Sequence, residues 1–79
     1  MPRVLQMTER RVAFPARASY LAALRRRRAH AARAQVHLWA FEHADDPERF
    51  VEFVEGSDPA AVRAVGDDSA LWLGVAELS

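Results

Sequence analysis

An imidazole, an indole and a carboxylate can be brought to one surface by this sequence. His37, Trp39 and Phe41 alternate along QVHLWAFEH, and Phe50, Glu52 and Val54 alternate along RFVEFVE. Side chains of a strand point to two faces in turn, so each trio shares a face. If residue 43 pairs with residue 48 across a hairpin, Phe41 opposes Phe50, Trp39 opposes Glu52 and His37 opposes Val54. Val36, Leu38, Ala40, Val51 and Phe53 then form the second, aliphatic face, with Glu42 opposite Arg49. A slip of one residue on one strand would mix the faces, so this register is the expected one.

In that register His37 and Glu52 are the catalytic candidates. Beside Trp39 in a semi-dry pocket they could hold a planar substrate and move a proton. Desolvation opposite an indole would disfavour the charged form of Glu52, as in tuned catalytic acids. The competing account is structural: the aromatics fill an interface and Glu52 pairs with an Arg, Arg10 being one partner within reach of the same face. The residues alone do not make the chain an enzyme.

Other chemistry finds less support. His37 and His43 are six residues apart along a strand, roughly 20 Å, and His30 falls on a helix. With Cys absent, no metal site is expected and no cofactor is implied. Arg25, Arg26, Arg27 and Arg28 are consecutive, so they radiate in four directions around a helix. A phosphate-binding surface needs a coherent basic face, and the zero net charge also argues against nucleic acid. Glu42, Asp45, Asp46 and Glu48 read as a solvated turn without calcium-loop spacing.

The elements that position these residues follow from charge and pattern. Residues 1–40 carry nine Arg and a single acid, Glu9, whereas residues 41–79 carry ten acids and only Arg49 and Arg63. Like charges on a compact body repel, so the halves should lie against each other. Arg17 or Arg28, both within the apolar helical stripe, should meet a carboxylate. A chain of 79 residues makes one domain, often marginal alone. Without disulfides, oligomerisation is the remaining route to stability. No signal peptide or membrane span is evident, and the absence of Cys fits a cytoplasmic protein.

Residues 3–13 read as a first strand, with Gln6, Thr8 and Arg10 on one face. Phe14-Pro15 opens a helix running to about Ala34, rich in Ala, Leu and Arg, with Tyr20, Leu21, Leu24 and Ala31 as its apolar stripe. Residues 35–43 and 48–55 form the hairpin around an Ala44–Pro47 turn. Ser57 or Asp58 caps a second helix with Pro59 at its first position, running to about Val65. The stretch 67–79 is either a closing strand or an apolar arm on a partner. The whole is a single α+β domain, residues 1–79, of ferredoxin-like β-α-β-β-α(β) order.

The strand of about ten residues, the Pro-initiated helix, VHLWAFEH, the short acidic turn and RFVEFVEG resemble the dimeric α/β-barrel proteins, relatives of antibiotic biosynthesis monooxygenases and stress-responsive barrel proteins. The likeness covers about residues 3–66. It implies a homodimeric α/β barrel, with helices outside and a pocket inside the barrel or beside the sheets. It implies a small-molecule binding protein or a cofactor-independent, monooxygenase-like enzyme acting on an aromatic compound. The binding set would be Gln6, Thr8, His37, Trp39, Phe41, Phe50 and Glu52. The haem-degrading members resemble one another in an Asn–His–Trp set that cannot exist here, because the chain has no Asn. The alternative is a non-catalytic homodimeric interaction or assembly module whose barrel is filled by side chains.

Overall fold

A computed structural model describes residues 3–75. Four strands and two helices alternate in the order β1 (Val4–Arg11), α1 (Arg17–Arg33), β2 (His37–His43), β3 (Asp46–Gly56), α2 (Pro59–Val65) and β4 (Trp72–Leu73). The strands form one antiparallel sheet in the spatial order β2-β3-β1-β4. The α+β expectation holds, and the connectivity is compatible with a ferredoxin-like arrangement. In the stretch read as either a closing strand or an apolar arm, Trp72–Leu73 forms the two-residue β4, paired to β1 through Leu5 and Trp72. Residues 76–79 of the expected tail lie outside the described residues. No helix among those described is long and apolar enough to cross a membrane.

Local chemistry explains the element ends. Phe14–Ala16 forms a single 3-10 turn, with Pro15 at its start, before α1 begins. At the other end α1 closes in a Schellman motif. Val36 N–H donates to Ala31 O at 2.9 Å, and Gln35 N–H to Ala32 O at 3.1 Å. The motif forces Gln35 into the left-handed region, φ 59°. Asp58, rather than Ser57, caps α2: its Oδ1 accepts from Ala60 N at 3.0 Å.

The core lies between the sheet and its two helices. Val4, Ala31, Val36, Leu38, Val54, Val62 and Val65 are buried there, with Leu24, Ala61 and Leu71 packed against them. Gly56 sits below α2, where a Cβ would come within 3.2 Å of Val62 Cγ2. Small apolar side chains dominate because α2 lies close on the sheet.

The hairpin register departs from expectation by one residue. His37 opposes Glu55, Trp39 opposes Phe53, Ala40 opposes Glu52, and Glu42 opposes Phe50. The strands are joined by a two-residue turn, Ala44–Asp45, and an irregularity between Glu42 and His43 absorbs the offset. β3 is therefore turned over relative to β2. Phe50, Glu52 and Val54 face the helices, and Val51, Phe53 and Glu55 face away. Arg49 pairs with Glu9 (3.0 Å) instead of Glu42, and Glu42 pairs with Arg17 (2.5 Å). Arg17 thus meets a carboxylate as expected; Arg28 has no ion pair among the described residues.

Candidate functional site

The seven residues expected to share a pocket are divided between the two faces of the sheet. Gln6, Thr8, Phe50 and Glu52 lie beneath the helices. His37, Trp39 and Phe41 lie on the open face, where the imidazole stacks on the indole (centroids 5.6 Å, rings 18° apart). The two catalytic candidates, His37 and Glu52, cannot reach a common substrate atom.

Glu52 is the centre of a closed ion cluster. It is 1% exposed, yet each carboxylate oxygen is occupied. Arg10 Nε donates to Oε2 at 2.9 Å, Tyr20 Oη donates to Oε2 at 2.6 Å, and Arg27 Nη1 donates to Oε1 at 2.9 Å. The expected Arg10–Glu52 pair is present. Arg27 also donates to Val65 O at 3.2 Å, which ties α1 to α2. Burial pushes the Glu52 carboxyl up, but the hydrogen bonds from Tyr20 and Arg27 and the charges of Arg27 and Arg10 outweigh it. The group titrates below the ordinary carboxylate range. At neutral pH it is an anion with its acceptors engaged, so it is poorly suited to take a proton. Desolvation first, and then its hydrogen bond to Glu52, hold the Tyr20 phenol protonated far above its usual range.

The role of Arg27 is masked in the sequence by its place in a run of four Arg residues that radiates around the helix. Its place was legible: Tyr20, Leu24, Arg27 and Ala31 follow the 4-3-4 spacing of one helix face. Phe50 packs under the same helix, with its ring 4.9 Å from that of Tyr20 and the Arg17 guanidinium 5.5 Å above it. It belongs to the core.

Gln6 and Thr8 are engaged with the chain after α2. Gln6 is buried, and its Nε2 donates to Asp67 O (2.7 Å) and Ser69 O (2.9 Å) while its Oε1 accepts from Asp67 N (3.1 Å). Thr8 Oγ1 donates to Asp67 Oδ2 at 3.3 Å. Asp67 in turn accepts from Ser69 N at 2.8 Å. Hydrogen bonding from Ser69, chiefly, holds its carboxyl below the usual value. The β1 row thus pins a loop, and it leaves no amide free to greet a ligand.

No family model, curated protein or solved structure matches this chain. The site must be read from its own geometry. What remains accessible is the open sheet face. Met7, Trp39, Phe41 and Trp72 are 47%, 43%, 55% and 59% exposed. Leu5, Val51 and Phe53 lie partly covered among them. The rings of Phe41 and Phe53 meet edge to face at 5.7 Å. Around this band stand the ion pairs Arg3–Glu55, Glu9–Arg49 and Arg11–Asp46. No cluster of metal ligands occurs among the described residues.

Proposed function

We propose that the chain works as a homodimer, two sheets packed open face to open face, and binds a small planar aromatic compound between them against the His37–Trp39 stack. One observation carries the reading: seven apolar side chains on a single sheet face lie inside a rim of three ion pairs. A patch of that kind is a liability on a monomer. The rim contributes as many cations as anions, so a two-fold copy meets no net repulsion, and an apolar centre within a polar rim is the anatomy of an interface. The family resemblance drawn from the hairpin and the helix likewise calls for a dimer that hides this face.

His37 is the one titratable candidate left on that face from the original pair. In an enzymatic form of this reading, it takes the proton from an electron-rich aromatic that then reacts directly with oxygen. The alternative, an assembly module with its interface filled by side chains, is favoured by the position of Gln6, Thr8 and Glu52 beneath the helices, which removes their polar groups from the open face where a ligand would need them. Analytical ultracentrifugation together with Trp39 fluorescence decides between them, in a Trp72→Phe background so that one indole reports. A dimer whose Trp39 emission is quenched by a planar aromatic supports binding. A dimer unquenched by any of a broad set leaves the assembly module. A folded monomer at high concentration overturns both.

A further inference from the structure

A second surface, adjoining the open face along β2, runs along the outer edge of the sheet. β2 ends the strand order, so one side of its backbone has no strand partner among the described residues. Above it stands α1, and between them run two adjoining grooves. One is lined by Leu21, Leu24, Arg25, Arg28 and residues 38–41; the other continues past Arg28 to Val36 and Gln35. Together they follow β2 from Val36 to Phe41, roughly 20 Å of extended chain. The floor and upper wall are apolar, supplied by Leu38, Leu21 and Leu24, while Arg25 and Arg28 overhang the edge.

The charges here are not balanced. Among the described residues Arg3, Arg10, Arg11, Arg17, Arg27 and Arg49 have carboxylate partners. Arg25 and Arg28 have none, and both are exposed. No Asp or Glu lines either groove. A second copy of the same edge, placed antiparallel, would bring Arg25 and Arg28 of two chains together and be repelled. The length of the groove, its free strand backbone and its unpaired cations fit a different occupant.

We propose that the β2 edge and the α1 groove receive an extended peptide that adds as a strand to the sheet and presents apolar and acidic side chains in turn on its helix-facing side. The strand backbone supplies main-chain hydrogen bonds, and every second residue of the peptide points under α1, where Leu21, Leu24 and Leu38 take the apolar side chains and Arg25 and Arg28 select for the acids. A dimer packed through the open faces leaves this edge accessible, so the two proposals stand or fall separately.

The test uses two fluorescent octapeptides, one repeating Leu-Ser-Glu-Ser and the other Leu-Ser-Lys-Ser, titrated against the full chain by anisotropy. The Leu–Glu peptide should bind at least tenfold tighter. Amide shifts on binding should map to residues 21–28 and 36–43. The Arg25→Glu, Arg28→Glu double variant should reverse the preference between the peptides; both positions are exposed, so the fold should persist, which circular dichroism checks. Equal binding of the two peptides, shifts confined to β1, β3 and β4, an unchanged preference in the double variant, or tighter binding of a single-stranded oligonucleotide would each overturn the proposal.

Discussion

Arg27 on α1 and Glu52 on β3 form an ion pair, Nη1 to Oε1 at 2.9 Å, beneath the helical layer. The arrangement assigns Glu52 to holding the helices on the sheet. With Arg10 and Tyr20 added, one carboxylate links β1, β3 and α1, and through Arg27 it reaches α2. Breaking a buried pair by removing one partner is costly because the other charge is stranded. Here the Arg10 and Arg27 side chains retain 40% and 32% exposure, so water softens the loss.

Glu52→Gln should therefore destabilise the fold by about 2 kcal/mol, since hydrogen bonds to a charged group are lost while the shape is kept. Urea denaturation near neutral pH measures it. A change below a few tenths of a kcal/mol would show that the cluster is not a structural tie.

The same cluster sets the pH response. The Glu52 carboxyl titrates below its ordinary value of 4.5 in the folded chain. A depressed carboxyl contributes stability that is present above the unfolded value and lost as pH falls through the folded one. Stability should decline from about pH 4.5 downward, and Glu52→Gln should make that decline shallower. Tyr20 runs the other way. Its folded value is raised, so its contribution is full below the free-tyrosine range and lost as pH rises beyond it. The chain has a single Tyr, so tyrosinate absorbance should stay absent as a folded sample passes about pH 10. Ionisation at that pH would place the phenol in water.

Gly66→Ala should disrupt the Gln6 anchor. A Cβ at Gly66 would lie 2.0 Å from Gln6 Oε1, so the amide must leave the place where it makes three hydrogen bonds. The expected cost is about 2–3 kcal/mol, the penalty for orphaning buried polar groups. Hydrogen exchange should show the Asp67 amide losing protection first. Retained protection would mean that the loop does not depend on Gln6.

Gln35→Gly should stabilise the chain. Gln35 holds φ 59° at the end of α1, a conformation that glycine adopts without steric cost. The extra backbone entropy of glycine offsets part of the relief, so a gain of about 0.5–1 kcal/mol is expected. A lower thermal midpoint would refute it.

Phe41→Glu tests the open face. Phe41 is 55% exposed in the single chain, so its replacement should change the stability of the monomer by no more than about 0.5 kcal/mol. In the proposed dimer the new charge meets an apolar surface, and dimer dissociation constants should rise by at least about a hundredfold. Sedimentation equilibrium of both forms gives the ratio; unchanged association would place the interface elsewhere.

Much of the fold could be read from residue order. Pro15 and Pro59 marked helix starts, Asp58 stood where a cap was needed, and the stripe of Tyr20, Leu24 and Ala31 gave α1 its buried side. The segregation of Arg from acids foretold that the two halves would lie against each other, as they do where Arg10 and Arg27 meet Glu52 on β3 and Arg17 meets Glu42 on β2. These are local or pairwise facts, carried by spacing and charge. Which way β3 faces was not local. An expectation that aliphatic residues turn inward put Val51 and Phe53 under the helices and Glu52 outside. Tertiary structure reversed it, because Arg10, Tyr20 and Arg27, between 25 and 42 residues from Glu52 in the chain, together compensate a buried carboxylate. Gln6 and Asp67 likewise meet across 61 residues. A strand offers two faces with equal backbone geometry, and only what later packs against each one decides which is the inside.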